Sequence, residues 1–335
     1  MTYEIKNSST FTLEHARQQV WDADVWCAII ANAGATDAFT AATASGSTTA
    51  GSYDAASAYT YIGSQARYPT TWSSFVLPAI TQVITAASQA FAEDTVSPTL
   101  AGASAGQFSS AQVGVLLTPV SSTFLDVAPF KFSNTALLNT IGMVLPQLFQ
   151  SFFLLGLNGL FTAFKLYRFP LRQLVKDRLI VTSIWTLVTA LCVTGWTVAF
   201  HESWPFGAKE FFALWTVNWV FSVITFDLFD IIIAFVPPPL VAMPIISITI
   251  MTVASTASPI DLDERFFRIH WAFPGHATWL TQLVIYGRGA GGAKWLHITL
   301  PVLTAWLVAA RLGSVFGLRK RRQDHLKAVA AAAAN

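Results

Sequence analysis

The stretch FFALWTVNWVFSVITFDLFDIIIAF, residues 211–235, decides the fold of this chain. It is apolar almost throughout, and Asp227 and Asp230 are its only charged residues. Because a helix needs roughly 20 mostly apolar residues to cross a hydrocarbon layer about 30 Å thick, the stretch predicts a membrane-spanning helix.

Four other segments repeat this pattern in the second half of the chain. Hydrophobic residues make up 53% of the sequence and charged residues only 11%, well below the roughly 25% charged residues of a soluble domain. We therefore predict an all-α bundle of five transmembrane helices over residues 136–335. The other four spans are predicted at residues 137–164, 179–200, 239–255 and 296–316.

Residues 1–135 predict a different kind of unit, a water-facing α/β domain. Short β-prone apolar segments alternate with segments in which apolar residues have helical spacing. Pro78 is expected to interrupt the first turns of the longer helix, and a Ser-, Ala- and Gly-rich stretch predicts a flexible connection. The strands are predicted at residues 24–31 and 56–62, the helices at 35–44 and 70–93, and the flexible connection at 94–122.

The distribution of Lys and Arg predicts the orientation of the spans. Residues 165–178 and the tail, residues 317–335, are rich in Lys and Arg, which are retained on the cytoplasmic side of a membrane. With five spans, the N-terminal domain then lies outside, the tail is cytoplasmic, and residues 257–294 form an outer interfacial segment. Since residues 1–20 lack the apolar core of a signal sequence, we expect one further span upstream of Met1.

Six short motifs follow one another along the chain: VWCAII (25–30), SYD (52–54), SFVLP (74–78), LDVAPF (125–130), SPIDL (258–262) and FFRIHWAFPGH (266–276). In this order they resemble the fungal nitrosoguanidine-resistance membrane protein family, whose shared region is a domain of unknown function related to the phage-infection-protein type of ABC-2 membrane component. The resemblance implies an ABC-2-like plan with one N-terminal span, a large outer domain and five further spans. It also implies membrane localisation, resistance to drugs or toxins, and an export role.

Asp227 and Asp230 are three residues apart, so they lie on one face of their predicted helix. Ionisable side chains at membrane depth are costly and mark functional sites, so both are candidates for a role in transport. We predict an ion pair between Asp230 and Arg311 of the last span, with Asp227 less compensated. In the alternative, Arg311 extends to the headgroups and both aspartates lie near the inner interface.

Gln147, Ser151 and Asn158 give the first span a polar stripe, since they recur at helical spacing together with Leu154. Such a stripe could line a path for polar solutes across the membrane. Hydrogen bonding between helices is the alternative, because amide side chains commonly join membrane helices in this way.

Aromatic and charged residues alternate in the outer segment, over residues 260–286. Phe266, Trp271, Pro274 and His276 are candidates for an outer gate over a substrate route. The alternative is that the aromatic side chains anchor the segment at the headgroup level.

The sequence predicts neither a catalytic nor a cofactor site, so we expect no enzymatic activity. No nucleophile with a base, no paired acids and no metal-ligand spacing converge, and the chain lacks the G-x-x-x-x-G-K-[ST] loop that would bind ATP. The net charge of +2 gives no indication of nucleic-acid binding.

Asn7 begins the single N-glycosylation sequon. The expected partners are the lipid bilayer, further copies of the chain and other membrane proteins.

The leading functional hypothesis is a transporter-like protein of the plasma membrane or an endomembrane, which exports or redistributes toxic small molecules or lipids. The alternative is a non-transporting scaffold or regulatory subunit whose outer domain binds a partner. A transporter should need Asp227, Asp230 and the face of Gln147 for activity. A scaffold should tolerate their replacement.

Overall fold

The computed structural model describes residues 4–6, 11–102, 104, 107–129, 138–201 and 206–334 of the chain. These residues are mostly helical and include one small β-sheet. It divides into two compact units, Met1–Phe130 and Lys131–Asn335. Each unit has hydrophobic cores of its own.

A three-stranded sheet organises the first unit, with strands β1, Cys27–Ala31, β2, Tyr59–Gly63, and β3, Ser122–Asp126. The central strand β2 is antiparallel to β1 and parallel to β3. β1 and β2 overlap the two predicted strands. β3 was not predicted, because its sequence STFLD is short and follows a stretch rich in small and hydroxyl residues.

The described residues of the first unit form six α-helices, and three of these helices are continuous with one another. Pro69–Ala101 is a continuous helix in which π-helical turns at Trp72–Val76 and Ala92–Val96 join α3, α4 and α5. Pro78 and Pro98 each lie two residues after the end of a π-helical turn. Proline has no backbone N–H to donate, and the wider turn accommodates this loss, so Pro78 widens the helix rather than ending it. The six helices are α1 (Leu13–Trp21), α2 (Ala35–Thr43), α3 (Pro69–Thr71), α4 (Leu77–Phe91), α5 (Ser97–Ala101) and α6 (Ser110–Leu117).

The two faces of the sheet pack against different helices because successive side chains of a strand alternate in direction. Ile62 packs with Ala16 and Val20 of α1. Its neighbour Tyr61 packs on the other face, in the cluster around Trp72. Gly63 follows at a point where a Cβ would lie 1.9 Å from the Trp72 ring, so only glycine lets the helix approach the sheet this closely.

The second unit is a helical bundle, and an α-helix covers most of each of the five predicted spans. α8 begins earlier than predicted and α12 continues through the basic tail, because Lys, Arg and Gln are good helix formers whether or not they lie in lipid. The helices are α7 (Leu138–Ala163), α8 (Leu171–Ala199), α9 (Ala208–Phe235), α10 (Ala242–Ala257), α11 (Pro274–Tyr286) and α12 (Leu296–Ala334).

Six helices among the described residues are long and apolar enough to cross a membrane. Five belong to the second unit and match the predicted spans, whereas the sixth, Pro69–Ala101, belongs to the first unit and was not predicted as a span. Several long apolar helices in one chain indicate a multi-pass membrane protein.

α9 lies at the centre of the second unit and packs against α7, α8, α11 and α12. Every residue from 221 to 227 is buried, so this part of the helix is enclosed on all sides. The aspartates of α9 therefore face other helices and not lipid.

Candidate functional site

Asp230 is the centre of a buried charge cluster in the second unit. Its Oδ1 atom accepts hydrogen bonds from Arg178 of α8 and Arg321 of α12, each at 2.5 Å. Its Oδ2 atom accepts a hydrogen bond from the Ser314 hydroxyl at 2.8 Å. Asp230 is fully buried, and two guanidinium groups and a hydroxyl group replace its hydration.

Asn158 connects α7 to the same cluster. Its Oδ1 atom accepts a hydrogen bond from Arg178 at 2.9 Å and a longer one from Arg321 at 3.5 Å. The Arg178 guanidinium also lies 5.3 Å from the Phe161 ring centre and 5.8 Å from that of Phe226, within the range of cation–π attraction. Polar contacts to one carboxylate and one amide thus join α7, α8, α9 and α12.

Asp227 lies about one turn before Asp230 and has a different environment. Arg311 Nε lies 3.1 Å from Asp227 Oδ2, but neither Asp227 oxygen accepts a hydrogen bond within the described part of the chain. The Asp227 side chain is fully buried, whereas that of Arg311 is 27% exposed. A cavity of about 10 Å³ beside the pair has room for about one water molecule. Arg311 therefore compensates the charge of Asp227, but no described group donates a hydrogen bond to its carboxylate.

The predicted ion pair between Asp230 and Arg311 is wrong, since Arg311 pairs with Asp227. Asp230 contacts Ser314, which is 84 positions further along the chain, and the same offset leads from Asp227 to Arg311. The prediction aligned the two helices by the ends of their apolar segments, and this alignment was wrong by one helical turn.

The members of the polar stripe of the first span make different kinds of contact. The amide of Gln147 donates to the backbone carbonyl of Met143, and the Ser151 hydroxyl donates to that of Leu148, so both bonds stay within α7. Asn158 bonds to other helices, which favours the interhelical alternative at that position. Gln150, which was not predicted, donates to Thr189 of α8 at 3.1 Å.

The four gate candidates lie in two different environments. Phe266 belongs to the 3₁₀-helix Arg265–Ala272 and is 78% exposed. Trp271 packs against the His276 ring, with the ring centres 5.2 Å apart, and Pro274 begins α11. The structure therefore brings Trp271 and His276 together and leaves Phe266 outside their contact.

His276 holds the start of α11 against α10. Its Nδ1 atom lies 2.8 Å from the backbone oxygen of Ser255. The neighbouring Gly275 lets the two helices approach, since a Cβ there would lie 2.5 Å from the Thr252 methyl group. Burial lowers the pKa of His276 to about 4, so the ring is neutral at physiological pH and acts here as a packing and hydrogen-bonding group.

The remaining predicted positions add no second site. Asn7 lies outside the residues that the structure describes. No group of three or more potential metal ligands converges within the described ranges. Cys27 and Cys192 are both free thiols.

Residues 1–312 match the family described as "Protein of unknown function (DUF3533)". The chain belongs to this family. No curated protein and no solved structure matches the chain significantly. The matched region includes Asp227, Asp230 and Arg311 and ends before Ser314 and Arg321.

Sequence reasoning missed three residues of the charge cluster around Asp230. They are Arg178, Ser314 and Arg321. Arg178 was assigned to a basic loop, but it continues by one turn the buried face that carries Thr182 and Thr186. That spacing of four was visible in the sequence and could have placed Arg178 inside the bundle. Arg321 was assigned to the tail, and its approach to Asp230 follows only from the packing of α12.

Proposed function

We propose that this chain is a transporter-like membrane protein that exports or redistributes toxic small molecules or lipids. The observation that carries the proposal is that two buried carboxylates on α9, Asp227 and Asp230, make different contacts. Within the described residues, Asp230 accepts three hydrogen bonds, whereas Asp227 accepts none and forms an ion pair with Arg311. Ionisable groups inside membrane bundles are retained against a free-energy cost, and this makes a functional role the default expectation.

In the proposal, the different contacts of the two aspartates correspond to different roles. Asp230 joins Arg178 and Arg321, so it holds α8, α9 and α12 together and acts as a fixed point. Asp227 and Arg311 join only α9 and α12, and partial exposure of Arg311 gives this pair access to the surroundings of the bundle. A pair that lacks directional hydrogen bonds can separate at lower cost than one that has them. In the proposal, breaking and remaking the Asp227–Arg311 pair accompanies substrate passage.

The proposal also places five spans in the second unit, with the first unit outside and the tail cytoplasmic. The helix Pro69–Ala101 has the length of a span, but its exposed face carries Thr81, Gln82, Thr85 and Gln89. Such a face favours water over lipid. Protease protection in sealed microsomes tests this topology, and finding the first unit and the tail in the same compartment would contradict it.

Resistance of cells to nitrosoguanidine tests the transport role. We expect cells that express the Asp227→Asn variant to lose the resistance conferred by the unchanged protein, while the variant reaches the membrane at normal abundance. Asp177→Asn is the matched control, since Asp177 is an exposed acid on α8 and should be replaceable without loss. Full resistance with Asp227→Asn would contradict the proposal.

A non-transporting scaffold is the second candidate, and two observations favour it. The cavity beside Asp227 is too small for a solute other than water. The first unit also exposes large apolar side chains, with Leu117 79% and Phe75 65% exposed, which could contact a partner. A scaffold should retain its activity with Asp227→Asn and lose it when Leu117 and Phe75 are both replaced by serine.

A further inference from the structure

A groove of about 450 Å³ opens beside the charge cluster in the second unit. One wall is polar and basic, and the other is formed by the end of α9 and the proline turn that follows it, including Phe235, Pro237 and Pro238. The groove therefore places an apolar surface next to a basic one. Its polar wall is formed by Asn158, Thr162, Tyr167, Lys320, Arg321, Asp324 and His325.

Three residues of the polar wall carry nitrogen atoms without a hydrogen-bond partner in the described part of the chain. These atoms are Nδ2 of Asn158, Nε of Arg321 and Nε2 of His325, and all three are buried. The amide and guanidinium nitrogens can only donate, and the imidazole nitrogen can donate in one tautomer. Buried donors without acceptors carry a free-energy cost, so a ligand with several acceptor oxygens would relieve it.

The charges near the groove also favour an anion. Three buried or partly buried guanidinium groups, those of Arg178, Arg311 and Arg321, face two carboxylates, which leaves an excess of one positive charge. Lys320, at the rim, is neutralised by Asp324 at 2.9 Å and adds no further excess.

We propose that this groove binds a phosphate group. A phosphate offers several acceptor oxygens and a negative charge, the combination that arginine side chains bind best. The apolar wall favours a phosphate that is carried by a lipid, because acyl chains can lie along Phe235 and the proline turn. This binding does not depend on whether the chain transports anything.

Ligand-dependent stabilisation of the full chain, purified in a neutral detergent, tests the proposal. The probes are short-chain phosphatidate, inorganic phosphate and the uncharged diacylglycerol of the same chain length. We expect phosphatidate to raise the midpoint of thermal unfolding and the diacylglycerol to leave it unchanged. Equal binding of inorganic phosphate would identify free phosphate as the ligand, with the same site chemistry.

The Asn158→Asp variant removes the free donor, adds a negative charge that repels a phosphate, and keeps the oxygen that accepts from Arg178. We expect it to fold, as shown by its elution as a single species, and to bind phosphatidate at least tenfold more weakly. If it does not fold, His325→Leu removes another donor of the same wall.

Arg319→Gln is the matched control, because Arg319 is exposed on the same helix and does not line the groove. It removes one positive charge and should leave the affinity unchanged. The proposal is overturned if no phosphate compound stabilises the protein. It is also overturned if Arg319→Gln weakens binding as much as Asn158→Asp does, since that result would indicate non-specific attraction to the basic tail.

Discussion

Asp227 and Asp230 lie three residues apart on α9, and both side chains are fully buried. Asp230 accepts hydrogen bonds from Arg178, Arg321 and Ser314, whereas Asp227 has one ion pair with Arg311 and no hydrogen bond within the described residues. Residue type and burial do not distinguish the two positions. The difference between them arises entirely from the side chains that neighbouring helices bring to each level of the bundle.

This difference separates two uses of a buried charge. A carboxylate whose lone pairs are filled by fixed donors holds helices together, and removing it leaves the opposing charges uncompensated. A carboxylate that has a counter-charge but lacks hydrogen bonds contributes less to the stability of the folded state. Asp230 should therefore matter for stability and Asp227 for whatever the protein does beyond folding.

The largest effect is expected for Asp230→Asn. The substitution leaves Arg178 and Arg321 buried without a counter-charge, and breaking a buried pair in this way costs about 3–5 kcal/mol. We expect a fall of several degrees in the midpoint of thermal unfolding in detergent. Asp227→Asn is the control from the same helix and should lower the midpoint far less. Equal losses for the two variants would remove the distinction between the two sites.

Charge exchange between α9 and α12 should give the next largest effect. Asp227→Arg and Arg311→Asp should each reduce the amount of folded protein, because each places two like charges side by side. The double variant restores an ion pair and should recover most of the loss. The exchange of Asp230 with Arg311 should give no recovery. Rescue of that second pair, as the sequence alone had predicted, would show that the register of α9 against α12 is different from the one described.

The cluster shows how far the sequence could lead. Residue type and depth were sufficient to select Asp227, Asp230, Arg311 and Asn158, because charges and amides in an apolar helix are rare and expensive. Their pairing was not predictable, since it depends on the axial register of two helices. A shift of one turn, about 5.4 Å, was enough to exchange the partners.

The spans and the first two strands were predictable for a related reason. A long apolar stretch or a short β-prone run is a property of consecutive residues, so residues 211–235 and 24–31 could be assigned locally. β3 and the approach of Arg321 to Asp230 depend on contacts between distant segments. The helix Pro69–Ala101 shows a further limit, because its overall composition fits a span although Thr81, Gln82, Thr85 and Gln89 are exposed on it.

An effect of intermediate size on stability is expected when two amide side chains of α7, Asn158 and Gln147, are compared. Asn158→Leu removes the acceptor for Arg178 and should cost about 1–3 kcal/mol, the range for leaving a buried donor unsatisfied. Gln147→Leu removes only a bond to the backbone of its own helix and should be close to neutral. The midpoint of thermal unfolding of the two variants measures this contrast. A greater loss for Gln147→Leu would mean that the polar stripe has a structural role that its contacts do not indicate.

The smallest effect concerns Ser314, whose hydroxyl donates to Asp230 Oδ2 at 2.8 Å. Ser314→Ala should cost about 0.5–1.5 kcal/mol, since single hydrogen bonds within membrane bundles contribute little. A double-mutant cycle makes this small effect informative. If the hydroxyl acts through Asp230, its cost should vanish in the Asp230→Asn background and persist in the Asp227→Asn background. Coupling to Asp227 in place of Asp230 would mean that the two carboxylates share Ser314, and the sharp division between a fixed and a mobile charge would no longer hold.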